Sequence, residues 1–114
     1  VDYAVDNRSV EETILPLAIE RGIAVMVYVP FGRTRLFKRV GEAPLPGWAA
    51  DFDAVSWAQF FIKFVLGHPA VTVVTPATSK AVNMADNLGG GAGRIPDEGM
   101  RRRMAEFVDA LPEA

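Results

Sequence analysis

Cysteine is absent from the chain, which excludes disulfides, thiolate chemistry and cysteine-ligated zinc. Histidine is nearly absent: His68 stands alone, so a multi-histidine metal site is excluded as well. No apolar run approaches the roughly 20 residues a membrane helix needs, and no signal peptide is visible. Charge of one sign is also lacking. A net charge of −2 gives no general attraction to nucleic acid or to anionic membrane. The expected setting is cytoplasmic. The 114 residues that remain, half of them hydrophobic, suffice for one small core and not for two ordinary domains. The chain starts at Val1 inside a strand-like run, and further sequence upstream is the expectation.

What is present centres on Val71–Gly90, VTVVTPATSKAVNMADNLGG. Val71–Thr75 is a short β-branched run that reads as a buried strand, ended by Pro76, which lacks an N–H and fixes φ. Thr78, Ser79 and Lys80 then lead into a helical pattern over Ala81–Leu88. A strand emptying through Thr-Ser-Lys into a helix start builds an anion site from free N–H groups, the helix dipole, two hydroxyls and an ammonium. The same residues serve equally as ordinary N-caps with a solvated lysine, and the spacing does not choose.

Upstream, Val1–Asp6 alternates apolar and polar residues, as a strand does. Ser9–Glu12 has capping-box form, and a helix is expected to run on to Arg21 with Ile14, Leu15, Leu17 and Ala18 on its apolar face. Pro16 should kink it, and Gly22 suits its left-handed end. Ile23–Val29 is a continuous apolar run, fitting a strand buried on both faces. Strand, helix, glycine, strand is a βαβ unit. Pro30-Phe31-Gly32-Arg33 leaves the second strand at its C-terminal end, the edge where α/β folds carry ligands.

Thr34–Val55 is irregular, with one or two helical turns expected over Gly47–Asp53 and Trp48 and Phe52 inward. Ser56 should cap an apolar helix over Trp57–Leu66, and His68 should satisfy a carbonyl at its end. Gly89, Gly90, Gly91 and Gly93 follow a helix, so they are a flexible loop and not a dinucleotide fingerprint. A last helix over Asp97–Leu111 presents Met100, Met104, Phe107, Val108 and Leu111, with Arg101–Arg103 on a solvated face. Three strands, each followed by helix, make an α/β fold; periodicity leaves open a doubly wound sheet or a barrel.

Several blocks together resemble the aldo-keto reductases. Tyr3 and Asn7-Arg8 resemble that family's Q-x-E-Y-S-L-x-N-R strand, and Leu15-Pro16-Leu17-Ala18 its L-P-L-A helix. Gly22-Ile23 through Tyr28-Val29-Pro30-Phe31-Gly32-Arg33 is similar to G-I-x-V-x-A-Y-S-P-L-G-R. Thr75-Pro76-Ala77-Thr78, Asn83 and Asp86-Asn87-Leu88 resemble the block after the last barrel strand, and Arg94-Ile95-Pro96-Asp97 the opening of the closing helix.

The resemblance implies the C-terminal part of a (β/α)8 barrel, about three βα units of an oxidoreductase that reduces aldehydes or ketones. It implies NADPH as cofactor, with NADH not excluded. Tyr28 would stack on the nicotinamide, Val29, Pro30, Phe31, Gly32 and Arg33 would pass over the pyrophosphate, and Thr78, Ser79, Lys80, Asn83, Asp86 and Asn87 would hold the adenosine end. A core tyrosine at a strand end is the alternative for Tyr28. Val29 replaces the family's usual serine, and Asn83 stands where many members carry an arginine, so Lys80 and Arg33 are the remaining cations. The catalytic Asp, Tyr, Lys and His of the family match nothing here. A non-catalytic barrel segment that self-associates through open strand edges is the other reading.

Overall fold

In the computed structural model, residues 1–76 and 81–111 are described. The element order is a 3-10 turn at Ser9–Glu11, α1 (Ile14–Arg21), β1 (Met26–Val27), α2 (Arg35–Val40), a 3-10 segment at Gly47–Phe52, α3 (Trp57–Leu66), β2 (Val73–Val74), α4 (Ala81–Gly89) and α5 (Glu98–Asp109). β1 and β2 pair in parallel, Met26 opposite Val73 and Val27 opposite Val74. Val1 extends this pattern on the far side of β1: its amine donates to the Met26 carbonyl at 2.6 Å, and Tyr28 N–H donates back to the Val1 carbonyl at 3.3 Å. The first segment thus touches the array at one residue, whereas a strand over Val1–Asp6 was expected. Ala4 instead bridges back to Asn7, turning the chain early.

Local chemistry explains the helix boundaries. Ser56 accepts a hydrogen bond from Gln59 N–H and Asp97 one from Met100 N–H, so α3 and α5 start with filled caps. Gly22, at φ +64°, ends α1 in the left-handed region. The expected capping box at Ser9 is not formed; α1 begins at Ile14. Pro16 therefore falls within the first turn, where no N–H has an intrahelical partner, and it kinks nothing. Of the expected apolar face only Leu15 and Ala18 are buried, while Ile14 and Leu17 are exposed. The short helix α2 lies in the segment expected to be irregular.

The core is an aromatic layer around α3. Phe60, Phe61, Phe64 and Val65 are fully enclosed, with Trp48, Phe52 and Phe107 packed around Phe60 and Trp57. α3 packs against β2. Val25 and Val27 point into that layer, whereas Met26 and Tyr28 are each 54% exposed and Val73 is 42% exposed. Burial of the Ile23–Val29 run on both faces is thus corrected: the other face is open.

Arg101 corrects another expectation. It is buried, donating from Nε to the Phe64 carbonyl at 2.8 Å and from Nη2 to Glu11 at 2.9 Å and to the Tyr3 hydroxyl. Tyr3 is itself fully enclosed, and its hydroxyl donates to Glu11. Only Arg102 and Arg103 remain exposed in that run. Lys63 is also enclosed, with Nζ donating to the carbonyls of Ala92 and Arg94, so it pins the glycine-rich loop to α3. Burial lowers the Lys63 pKa.

Candidate functional site

Two clefts open beside the C-terminal end of β1, and they share Phe31 and Arg33. The first, about 300 Å³, is lined by Tyr28, Val29, Pro30, Phe31, Arg33 and Pro76. The second, about 420 Å³, is lined by Phe31, Arg33, Thr34, Phe37, Ala58, Asn83, Asp86 and Asn87. The turn after β1 and the helix after β2 therefore meet in one groove. That follows from parallel pairing, which puts the C-terminal ends of both strands at the same edge.

The wall between the clefts is aromatic on its apolar side. Phe31 packs against Phe37 of α2 at 4.9 Å between ring centroids and against Phe61 of α3 at 6.3 Å. Gly32 and Arg33 both take positive φ, +58° and +64°. Arginine rarely adopts that region, so the local backbone is strained at the point where the clefts join. Arg33 is exposed and is the one cation lining either cleft among the described residues.

Tyr28 stands at the strand end and is more than half exposed in this chain. Asn83 is exposed in the second cleft, and Asn87 is 92% buried behind it. Asp86 is partly committed elsewhere. Its carboxylate accepts from Ser56 Oγ at 2.8 and 2.9 Å and from Gln59 Nε2 at 3.1 Å, fixing α4 to the start of α3. Those partners were not legible as such, although Ser56 and Gln59 stand at the cap and third residue of a helix start, where polar side chains collect. Thr78, Ser79 and Lys80, expected to complete the site, lie outside the described residues.

His68 does not serve a carbonyl as expected. Its Nδ1 accepts from the Ala70 N–H at 3.0 Å, which requires an unprotonated nitrogen there. Burial, with the Arg101 charge nearby, lowers its pKa. Among the described residues there is no cluster of three or more His, Cys, Asp or Glu able to hold a metal ion, and no helix is long and apolar enough to cross a membrane.

No protein-family model matches this sequence, and no curated protein matches it. Solved structures do. Over 94% of this chain, the fold is similar to a thermostable aldo-keto reductase solved with the inhibitor epalrestat, at a TM-score of 0.69 and 17% identity. It is also similar to an aldo-keto reductase from Bacillus halodurans, at TM-scores of 0.64 for the holo form and 0.63 for the apo form, each 19% identical and covering 94% of this chain. The fold is thus similar to part of the fold of these aldo-keto reductases. The chain spans about two fifths of the length of these proteins, 38% to 41%.

Proposed function

We propose that this chain is the C-terminal, cofactor-binding part of a (β/α)8-barrel oxidoreductase that reduces small aldehydes or ketones. The observation that carries this reading is the shared groove, in which the turn after one parallel strand meets the helix after the next. Barrel enzymes bind their ligands at that edge. The open apolar face of Met26, Tyr28 and Val73 supports the barrel, since an inward-facing sheet surface is apolar only if other strands enclose it.

The residues fit a nicotinamide dinucleotide in three places. Tyr28 offers an exposed aromatic face to a planar ring, Arg33 offers a cation to phosphates, and Asn83 and Asn87 offer amides to the adenosine end. Asp86 contributes through its position more than through free acceptors, because Ser56 and Gln59 hold its carboxylate. With one described cation in the groove, NADPH is the proposed cofactor and NADH its competitor. When bound, the cofactor supplies the hydride, and the carbonyl oxygen needs a proton donor beside it. Tyr3 is not that donor, because its hydroxyl is buried against Glu11 and Arg101. The donor is assigned to the remaining part of the barrel.

The test is quenching of protein fluorescence by NADPH and by NADH. Saturable quenching by either supports the assignment; no quenching by either at millimolar concentration overturns it.

The exposed face also favours a second reading, a non-catalytic segment that self-associates through its sheet. Sedimentation velocity separates the two. This reading expects a concentration-dependent dimer that Met26→Lys abolishes, with no nucleotide binding.

A further inference from the structure

The turn that carries Arg33 is held from outside the groove. Arg35, the first residue of α2, donates from Nε to Asp6 Oδ2 at 2.7 Å and from Nη2 to Asp6 Oδ1 at 2.8 Å. This is a two-pronged pair, the geometry a planar guanidinium makes best with a carboxylate. The Asp6 side chain is only 6% exposed, whereas the Arg35 side chain that grips it is 52% exposed. The guanidinium passes directly over Gly32: a Cβ there would lie 2.6 Å from Arg35 Cζ. Glycine at position 32 therefore suits the positive φ, and a side chain there would displace the arginine's guanidinium.

A strained left-handed residue persists only where its surroundings fix it. Arg33 follows Gly32 in that region, and its own side chain has no hydrogen-bond or ion-pair partner among the described residues. Backbone bonds close the turn, Gly32 N–H to the Val29 carbonyl at 3.0 Å and Arg35 N–H to the Gly32 carbonyl at 3.1 Å, and the N-terminal segment adds a tertiary hold through Asp6. The same carboxylate neutralises Arg35, so a ligand in the groove meets the charge of Arg33.

We infer that the Asp6–Arg35 pair is a clamp that sets the Gly32–Arg33 turn and so aims Arg33 at the phosphates of a bound dinucleotide. Asp6 and Arg35 are positioning residues that touch no cofactor. The inference rests on the cofactor-binding reading above.

The test is the Kd for NADPH, measured by fluorescence quenching on the full chain for the wild type, Asp6→Asn, Asp6→Glu, Arg33→Ala and the Asp6→Asn/Arg33→Ala double variant. Asp6→Asn is expected to weaken binding about fivefold or more, and Asp6→Glu to recover most of that loss. With Arg33 already removed, Asp6→Asn should change Kd by less than about twofold, because the clamp then has nothing to aim. A merely structural Asp6 would weaken binding equally in both backgrounds, and that result overturns the inference. So does a wild type that binds NADPH while Asp6→Asn leaves Kd unchanged, an outcome that spares the cofactor reading. A wild type that binds neither NADPH nor NADH overturns both. If Asp6→Asn does not fold, Arg35→Lys, which keeps the charge and loses the fork, carries the same comparison.

Discussion

Ser56 and Asp86, thirty positions apart in sequence, are joined by a hydrogen bond of 2.8 Å from the serine hydroxyl to the carboxylate. The same oxygen accepts the Gln59 N–H, so one side chain starts α3 and ties α4 to it. One wall of the groove is set by this joint.

Ser56→Ala is expected to cost about 2 kcal/mol in urea unfolding, more than the ~1 kcal/mol of a cap alone, because Asp86 loses a donor as well. Combined with Asp86→Ala, the losses should be less than additive. Additive losses would mean that the two side chains do not act together.

Tyr28→Ala separates binding from stability. The ring is more than half exposed, so the unfolding midpoint should move by less than about 0.5 kcal/mol equivalent. Dinucleotide binding should weaken by about 1 kcal/mol or more, as expected for a lost ring–ring contact. A large fall in stability with unchanged binding would return Tyr28 to the core.

Arg101 and Arg102 are neighbours with opposite fates. Arg101→Ala leaves Glu11 and the Tyr3 hydroxyl short of a partner in a buried site, with an expected cost of about 3 kcal/mol. Arg102→Ala, at an exposed pair with Glu98, should cost less than about 0.5 kcal/mol. Calorimetry or chemical unfolding distinguishes the two directly.

Stability should fall at both ends of the pH range, for different reasons. His68 has its pKa lowered below the ordinary 6.5 by burial and by Arg101. The folded state therefore binds that proton more weakly than the unfolded chain, and stability is lost as pH falls below 6.5 through the folded value. Tyr3 has its pKa raised well above the ordinary 10.0 by burial and by its bond to Glu11. Only the unfolded chain then ionises it near that value, and stability is lost as pH rises past 10.0. Melting temperatures from pH 5 to 11 check both. His68→Asn, which keeps an acceptor for Ala70, should flatten the acid limb alone.

The blocks resembling the aldo-keto reductases lie in a chain whose fold is similar to two proteins of that name. Motif order was thus legible even at 17% to 19% identity. The cap at Ser56 and the left-handed Gly22 were legible too. So was the apolar helix between Ser56 and Gly67. The strand lengths were not. A run such as Ile23–Val29 shows its hydrophobicity, whereas pairing depends on neighbours that lie tens of residues away. Arg101 and Lys63 were hidden for the same reason, since charged residues in helical patterns read as solvent-facing until a second segment closes over them.

The sequence by itself determined where the helices α3 and α5 begin. Those signals lie within a turn or two of the residues they act on, and any chain with these residues carries them. Tertiary structure alone decided that Tyr28 stands open, that Asp86 is held by Ser56, and that Asp6 grips the turn before α2 through Arg35. These are encounters between distant segments. They exist only once parallel pairing of β1 with β2 has brought the strand ends to one edge.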